Sequence, residues 1–344
     1  MKITIKEVAQ LAGVSIATVS RVLNEKNKVK PSTRDSVQQA IEQLNFQPDQ
    51  NARTMIKKST KTIGMLVPEL TNEFWVFLLD IVQKELWELG YTLLIGSTDH
   101  QREKEIAFAK SFIEKRVDGI IYGSSVIETA KEMSDLIALT KRYDIPIVTL
   151  DPRIPQANCI FGDHIQGATD ATDHLIRQGH RHIGYIGGPS VSAKRELGYR
   201  NAFMTNDLIV NEALIQRIEG LPTFENGYEA ARRLLESGER FTALFCGNDV
   251  LAFGTIKALE EHGWSVPQDI AVVGYDDVHS ARLWKPALTT VRQPLQDIGR
   301  TLVEMIMDSL GKDIHELVPK KIIFQMQLVV RDSCGASLRN EEQQ

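Results

Sequence analysis

"GVSIATVSRVLN" (residues 13–24) decides how the N-terminal part of this chain folds. Ser15 is a favoured helix-capping residue, and Ile16, Val19 and Leu23 follow at helical spacing on one face. The opposite face carries small and polar side chains, namely Ala17, Ser20, Arg21 and Asn24. A helix that packs only against its own core has no need of an arginine on a face of small residues. This face therefore indicates a contact outside the chain.

Another helix is predicted just before this stretch. Thr4 and Glu7 have the spacing of a capping box, and Ile5 and Val8 begin an apolar face. Gly13 can take the left-handed conformation that ends such a helix. Two short helices joined by a glycine turn are typical of a helix-turn-helix.

A third helix is predicted to be capped by Ser32 and Asp35 and to end before Pro48. Its inward-facing residues are expected to be Val37, Ala40, Ile41 and Leu44. Together the three helices predict a helix-turn-helix DNA-binding domain over residues 1–47.

In a helix-turn-helix, the second helix enters the major groove and leads with its N-terminal residues. Arg21 can form a bidentate pair with guanine, and Thr18 and Ser20 can hold phosphates. The small side chains let the backbone approach the bases. The residues of this domain predicted to meet DNA are Thr4, Ser15, Ile16, Ala17, Thr18, Ser20, Arg21 and Asn24. The alternative is a small three-helix core whose arginine is merely exposed.

The charge of the chain is divided unevenly. The 344 residues carry a net charge of −5, but residues 1–61 hold eleven basic and five acidic side chains, a net of +6, which leaves −11 for the remainder. A basic N-terminal part on an acidic body indicates that only the former approaches a polyanion. A solvated basic segment would have the same composition.

The cysteines and the N-terminus favour a cytoplasmic protein. Cys159, Cys246 and Cys334 stand far apart without metal-ligand spacing, which predicts a reducing compartment and no zinc site. The first residues read as a charged helix rather than a signal peptide. No apolar run reaches the ~18 residues that a membrane helix needs, so we expect no contact with membranes.

From residue 62 onward, short apolar strands alternate with helices. The strands are predicted in "TIGMLVPEL", "YTLLIGST", "VDGIIYGSS", "IPIVTLD", "HRHIGYIGG", "QRIEG", "TALFCGND" and "DIAVVGYDD". Helices are predicted between the first of them, at 73–89 and 101–116. This alternation is the βαβ pattern of a doubly wound parallel sheet, and its second set predicts a second lobe.

Ligands of open α/β sheets bind beyond the C-terminal ends of the strands. The polar and aromatic residues expected there are Asn72, Phe74, Trp75, Asp151, Arg153, Arg195, Asn248, Asp249 and Asp276. Carboxylates and arginines bond hydroxyl groups directionally, and aromatic rings stack on sugar or base faces. These residues therefore predict a cleft for a small polar effector.

Each of these residues also has a purely structural alternative. Asn248 and Asp249 could cap the next helix, and Arg195 could be a surface residue. The two aromatic rings could belong to the core, and Asp276 could only fix a turn.

Enzyme signatures are missing from the sequence. No G-x-G-x-x-G follows a strand, and neither G-x-x-x-x-G-K-[ST] nor H-E-x-x-H occurs. His164, His174, His180 and His182 are close in sequence but have no nucleophile or metal triad with them, so we expect polar surface residues. A transport-type binding protein would suit the body, but it would need an export signal and no DNA-binding head. We expect no catalysis, no cofactor and no metal.

The chain resembles the lactose-repressor (LacI/GalR) family of bacterial transcription regulators. The resemblance rests on "TIKEVAQLAGVSIATVSRVLN", "VKPSTRDSVQQAIEQLNFQPDQNARTM", "GMLVPELTNEFW", "RVDGII", "GHRHIGYIGGP", "GNDVLAFG", "VPQDIAVVGYDD" and "PALTTVRQP". These segments span essentially the whole chain in the family's order. "VSIATVSRVLN" is most similar to the catabolite control protein branch.

The resemblance implies a helix-turn-helix head and a two-lobed, periplasmic-binding-protein-like body, with crossings between the lobes near residues 160, 290 and 322. The expected division is a head at 1–47, a hinge at 48–61, a first lobe at 62–160 plus about 291–322, a second lobe at 161–290 plus about 323–334, and a disordered tail at 335–344. It also implies that Arg195 in "RELGY" and Asp249 in "NDVLA" contact the effector.

The hinge segment "PDQNARTMIKK" (residues 48–58) has few apolar residues and predicts a flexible linker in the absence of DNA. In the family such a hinge folds on the operator, and a leucine wedges into the minor groove. The matching residue here is Met55, which is also a known wedge side chain. Arg53 and Lys57 would neutralise phosphates, and Asn51 and Ala52 complete the predicted contacts.

The expected function is a homodimeric repressor of a carbohydrate-utilisation operon. Its operator should be palindromic, because two-fold protein symmetry matches two half-sites. A sugar or sugar phosphate is the expected effector, while a nucleobase, a protein co-effector or an activating role are alternatives. One departure concerns the ligand: many relatives carry an aromatic residue after "GD", where this chain has Pro222, with Phe224 nearby.

Overall fold

The computed structural model describes residues 3–24, 29–46, 59–123, 130–154, 157–188, 191–314, 316 and 318–336. They fall into two compact units, Met1–Thr60 and Lys61–Gln344, here called the head and the body. The predicted hinge contacts Asn51, Ala52, Arg53, Met55 and Lys57 lie outside the described residues, and so does the predicted tail beyond Ala336.

The head contains three helices around a small apolar core. They are α1 (Ile5–Leu11), α2 (Ile16–Asn24) and α3 (Pro31–Gln43). Val8, Val19 and Val37, one from each helix, are fully buried at its centre. The predicted capping box begins α1, where the backbone N–H of Thr4 donates to Glu7 Oε2 at 2.7 Å. The helix-turn-helix is confirmed.

The turn before α2 has the predicted geometry, whereas the start of α3 does not. Gly13 is left-handed, with φ +64°, and Ser15 Oγ accepts the backbone N–H three residues further on at 3.2 Å. The helix α3 begins at Pro31, because the fixed φ of proline suits the first helical position. Ser32 and Asp35 therefore lie inside the helix and do not cap it.

The body contains two six-stranded sheets. Their strands are β1 (Thr62–Val67), β2 (Thr92–Ser97), β3 (Gly119–Tyr122), β4 (Ile147–Thr149), β5 (Asn158–Gly162), β6 (Ile183–Gly187), β7 (Ile215–Arg217), β8 (Ala243–Cys246), β9 (Ala271–Asp276), β10 (Thr289–Arg292), β11 (Lys321–Phe324) and β12 (Gln327–Val329). The first sheet has the order β11–β5–β4–β3–β1–β2 and the second β12–β10–β9–β8–β6–β7. Among these strands only the β10–β12 pair is antiparallel, which confirms the doubly wound parallel fold.

Helices connect the strands. They are α4 (Glu73–Glu88), α5 (Arg102–Glu114), α6 (Ala130–Arg142), α7 (His164–Arg177), α8 (Val191–Thr205), α9 (Phe224–Glu236), α10 (Asp249–Glu261) and α11 (Leu295–Ser309). On α4 every fourth residue is buried, at Phe74, Leu78, Val82 and Leu86. Each such apolar side chain contributes roughly 1.5–3 kcal/mol by leaving water. This row of buried side chains determines which side of α4 packs against the core. It also determines which residues at the start of α4 lie at the C-terminal ends of the strands.

The chain passes between the two sheets three times. It leaves the first sheet after β5, returns through α11 after β10, and crosses again between β11 and β12. The strands that precede the three crossings end at Gly162, Arg292 and Phe324, close to the positions near 160, 290 and 322 that the resemblance implies.

Candidate functional site

The helix α2 has a buried side and an exposed side. Val19 and Val22 are buried in the head's core, whereas Ala17 and Arg21 are exposed. Ile16 was predicted to join the apolar stripe, but 44% of it is exposed and it lies with the polar side. The outer side of α2 therefore offers one guanidinium beside small and apolar groups.

The other predicted DNA contacts of the head differ in exposure. Thr4 and Ser15 are exposed, Thr18 and Ser20 are half-buried, and Asn24 is the last residue of α2. The backbone N–H and then the hydroxyl of Thr4 lower the pKa of Glu7. Its carboxylate therefore stays ionised at neutral pH and keeps the start of α1 in place.

A cavity of about 260 Å³ opens between the two lobes of the body, at the C-terminal ends of the strands. Residues from both lobes line it. Of the nine predicted effector residues, the structure brings eight together there: Asn72, Phe74, Trp75, Asp151, Arg153, Arg195, Asn248 and Asp276. Their contact with an effector stays a prediction.

Arg195 forms a buried ion pair on the second-lobe side of the cavity. It is 6% exposed, and its Nη2 donates to Asp276 Oδ1 at 2.9 Å while Nη1 donates to the Gly247 carbonyl. The guanidinium carbon lies 3.8 Å from the centre of the Tyr275 ring. Gln293 Nε2 donates to the same oxygen of Asp276 at 2.7 Å. Burial raises the pKa of Asp276, and Arg195 opposes that rise.

Asp276 also holds an unusual backbone conformation. Its φ is +114°, and that of the next residue, Asp277, is +53°. Such conformations cost a non-glycine residue of order 1–3 kcal/mol, so the surrounding contacts must impose them. The alternative that Asp276 fixes a turn is thus compatible with its place in the cavity.

Two further carboxylates of the cavity are paired on the first-lobe side. Arg153 donates to Asp151 through Nε at 2.9 Å and through Nη2 at 2.6 Å, which makes a bidentate pair. Glu69 Oε2 lies 2.9 Å from His100 Nε2. Glu69 and Asp151 are 5% and 6% exposed. Their oxygens are therefore oriented acceptors before any ligand arrives.

Aromatic rings complete the first-lobe wall. The rings of Phe74 and Trp75 meet edge to face, with centroids 4.9 Å apart. Asn72 Oδ1 accepts the backbone N–H of Phe74 at 3.0 Å and so caps α4. Trp75 lies against Gly123, where a Cβ would approach its ring to 2.8 Å. Phe74 is both part of the core and part of the cavity wall.

Asp249 does not lie where the sequence predicted it, at the wall of the effector cavity. It is fully buried and is not among the residues that line the cavity. Its Oδ1 accepts the Thr290 hydroxyl at 2.5 Å and its Oδ2 the Val278 N–H at 2.9 Å. Burial, then the charge of Asp276, raises its pKa well above the usual value. Asn248 does line the cavity and also caps α10.

Several lining residues were missed by sequence reasoning. They are Glu69, His100, Phe161, His164, Lys194 and Gln293, while Pro222 also lines the cavity and Phe224 does not. Glu69 and Gln293 follow β1 and β10, so the strand-end rule could have found them. His164 and Lys194 lie on helices, where that rule gives no signal.

The prediction that the four histidines are polar surface residues was wrong for His164. His164 is a half-buried cavity residue whose Nδ1 lies 3.1 Å from the Tyr275 hydroxyl. Burial, Arg195 and Lys194 lower its pKa well below 6.5, so the ring is neutral at pH 7. His174 and His180 are also half-buried, and of the four only His182 is exposed.

The described lining of the cavity consists of charged, polar, aromatic and apolar side chains together with glycines and prolines. Among the described residues that line the cavity there is no serine, threonine or cysteine. Within the described parts of the chain, no three His, Cys, Asp or Glu side chains are placed to hold a metal ion. Nor is any helix found there that is long and apolar enough to cross a membrane.

The chain is similar to known regulators over nearly its full length. Residues 4–49 match the profile of bacterial regulatory proteins, lacI family, and residues 172–334 that of a periplasmic binding protein-like domain. The chain is 37% identical to the HTH-type transcriptional repressor PurR of Vibrio campbellii, over 96% of this chain and 98% of that protein. It is 34% identical to Catabolite control protein A of Priestia megaterium, over 91% and 94%.

Solved structures agree with these relatives. The lac repressor dimer bound to operator and the anti-inducer ONPF aligns with a TM-score of 0.85 at 27% identity, over 97% of this chain and 99% of that one. The complex of the transcriptional regulator CelR with cellobiose aligns with a TM-score of 0.69 at 28% identity, over 96% and 100%. The protein is a DNA-binding transcriptional repressor and not an enzyme, and it belongs to the lacI family of bacterial regulatory proteins.

Proposed function

We propose that this repressor binds a palindromic operator as a homodimer and is controlled by a sugar bound between its lobes. The observation that carries the proposal is the lining of the cavity, where oriented carboxylates and aromatic rings meet. A sugar presents hydroxyl groups at its edge and C–H groups on its faces. Buried acceptors suit the former, and aromatic rings suit the latter.

The paired charges favour a polyhydroxylated ligand in particular. Asp151 and Asp276 each keep an arginine partner, so a hydroxyl can add to an existing pair without leaving a charge uncompensated. Arg195 and Arg153 donate while the carboxylates accept, and a hydroxyl group can do both. The complex of the related CelR with cellobiose is consistent with this assignment.

A nucleobase is the second candidate. The relatives called PurR favour it, and so do the rings of Phe74 and Trp75, because a flat base could stack on them. A nucleobase has fewer hydroxyl-like groups to satisfy the carboxylates on both sides of the cavity, so we place it second.

The head supplies the DNA half of the proposal. The exposed side of α2 would enter the major groove, with Arg21 reading a base and Ser20 and Thr18 near phosphates. A dimer related to the lac repressor would present two such helices to two half-sites. The hinge contacts, with Met55 as the wedge, remain predictions.

Coupling between ligand and operator would pass through closure of the lobes. Three chain crossings join the lobes and can act as hinges. A ligand that binds one arrangement better shifts the dimer towards it, and operator affinity follows.

Calorimetry on the full-length protein tests the effector. The ligands are glucose, cellobiose, ribose and their phosphates, with hypoxanthine and guanine as the nucleobase arm. Asp276→Asn should weaken sugar binding by about tenfold or more, since it removes a charge-assisted acceptor. Glu236→Gln, at an exposed carboxylate on α9, is the matched control and should bind as the wild type does.

Operator binding completes the test. A sugar that binds should change operator affinity in the wild type and in Glu236→Gln but not in Asp276→Asn. Binding of a nucleobase but of no sugar would reject the carbohydrate assignment in favour of the second candidate.

A further inference from the structure

Among the described residues that line the effector cavity, Lys194 is a cation outside the arginine–carboxylate ion pairs. Arg195 forms an ion pair with Asp276 and Arg153 one with Asp151, and Glu69 lies within hydrogen-bond distance of His100. Lys194 also lines the cavity, and no carboxylate among the described residues lies within ion-pair distance of its Nζ. A half-buried lysine in such a place needs an explanation, because an unpaired charge loses solvation without gaining a partner.

Other positive groups lie near Lys194. Its neighbour Arg195 lies on the same wall, and the Nε of Arg195 is buried without an acceptor among the described groups. Lys194 stands in the first turns of α8, and Gly188 before that helix also lines the cavity. The N-terminus of a helix carries partial positive charge and favours anions. Burial lowers the pKa of His164 most, and the charges of Arg195 and then Lys194 lower it further, so both cations lie near this ring.

The position of the ammonium group is compatible with a ligand. Its Nζ lies 5.7 Å from the centre of the Phe161 ring, a residue of β5 on the opposite lobe. Lys194 therefore reaches across the cavity at the end where the chain passes between the lobes. A group bound there would be held by Lys194 while the rest of the ligand faces Asp276 and Asp151.

We propose that the effector carries an anionic group, a phosphate or a carboxylate, and that Lys194 binds it. Lys194 thus decides between charged and neutral sugars. This inference rests on the proposed function, since it names the class of sugar that the same cavity takes.

The test uses matched pairs of ligands on the full-length protein. Glucose is compared with glucose 6-phosphate, fructose with fructose 6-phosphate, and ribose with ribose 5-phosphate. Gluconate and glucuronate form the carboxylate arm, and hypoxanthine the nucleobase arm. Calorimetry is done on the wild type, Lys194→Gln, Lys194→Arg and Lys110→Gln, the last at an exposed lysine of α5.

We expect at least one charged member to bind about tenfold or more tightly than its neutral partner, as a charged hydrogen bond should give. Lys194→Gln should erase this preference and leave the neutral sugar's affinity unchanged. Lys194→Arg and Lys110→Gln should keep the preference. Added salt should weaken the charged member more than the neutral one. A preference for phosphates or for carboxylates identifies the anion.

Two results would overturn the inference. One is that no charged member gains over its neutral partner in any pair. The other is that Lys194→Gln weakens both members of a pair equally. If neutral sugars still bind in either case, the sugar assignment stands and only the anionic group is rejected. If hypoxanthine alone binds, the sugar assignment itself fails.

Discussion

Replacing Arg195 by alanine should destabilise the body as well as abolish effector binding. The substitution removes two hydrogen bonds from a charged donor, to Gly247 and Asp276, and the stacking on Tyr275. It leaves Asp276, which is 4% exposed, with Gln293 as its remaining side-chain donor among the described residues. Breaking a buried ion pair from one side costs about 3–5 kcal/mol, and we expect a loss of that size in the free energy of unfolding at pH 7.

The loss should shrink as the pH falls. Burial already raises the pKa of Asp276 while Arg195 opposes it, so removing Arg195 raises that pKa further. The unfolded chain titrates near the ordinary value of about 3.9. A carboxyl group whose pKa is higher in the folded state than in the unfolded chain binds its proton more readily when folded. Its contribution to stability is therefore lost as the pH rises from the unfolded-state pKa through the folded-state pKa. Relative to the wild type, Arg195→Ala should therefore be less destabilised as the pH falls from 7 towards that ordinary value.

Urea unfolding at pH 5, 6 and 7, followed by tryptophan fluorescence, measures both effects. The control is the double variant Arg195→Leu with Asp276→Asn, which removes both charges and should be less destabilised than Arg195→Ala. A loss below about 1 kcal/mol at pH 7 would refute the buried ion pair, because a surface arginine costs no more than that. A loss that is the same at pH 5 and pH 7 would refute the role given to Asp276.

Three further predictions concern the head, the core and the hinge. Arg21→Ala should cost about 1–3 kcal/mol of operator affinity and relax the preference at one base pair, while Lys57→Ala should weaken binding to all sequences alike. Selection from randomised operators compares the two variants. An intact base preference in Arg21→Ala would rule out base readout by Arg21. Asp249→Asn keeps an acceptor for the backbone N–H of Val278, whereas Asp249→Ala leaves that group unpaired. In denaturant unfolding, Asp249→Ala should therefore lose about 1–3 kcal/mol more of the free energy of unfolding than Asp249→Asn. Equal losses in the two variants would contradict the buried hydrogen bond of Asp249. Met55→Ser should weaken operator binding much more than binding to random DNA in gel shifts, and equal losses would remove the wedge.

Local patterns were sufficient for most of the head. Gly13, Ser15 and Thr4 act within a few residues of themselves, so their turn and caps could be predicted from spacing. Ile16 could not be placed in the same way. It stands at the edge of the apolar stripe, and periodicity does not say how far the neighbouring helices reach.

The strand-end rule located the cavity but not the direction of every side chain. Asn248 and Asp249 are adjacent after β8, yet one lines the cavity and the other turns into the core. The choice is made by Thr290 and Val278, which lie 41 and 29 residues further along the chain. Such contacts depend on the sheet order and leave no mark on the local sequence. The same holds for Lys194, whose place opposite Phe161 depends on a crossing between lobes.

The three crossings of the body also determine which parts of this protein can be inherited separately. The strands of each sheet come from non-contiguous stretches of chain, and only two residues separate β11 of the first sheet from β12 of the second. Exchanging one lobe with a homologue would require three simultaneous splices, whereas exchanging the head requires one, just before Lys61. A single recombination event can therefore join an existing effector-binding body to a head that recognises a different operator. The two lobes of the body, in contrast, are inherited together.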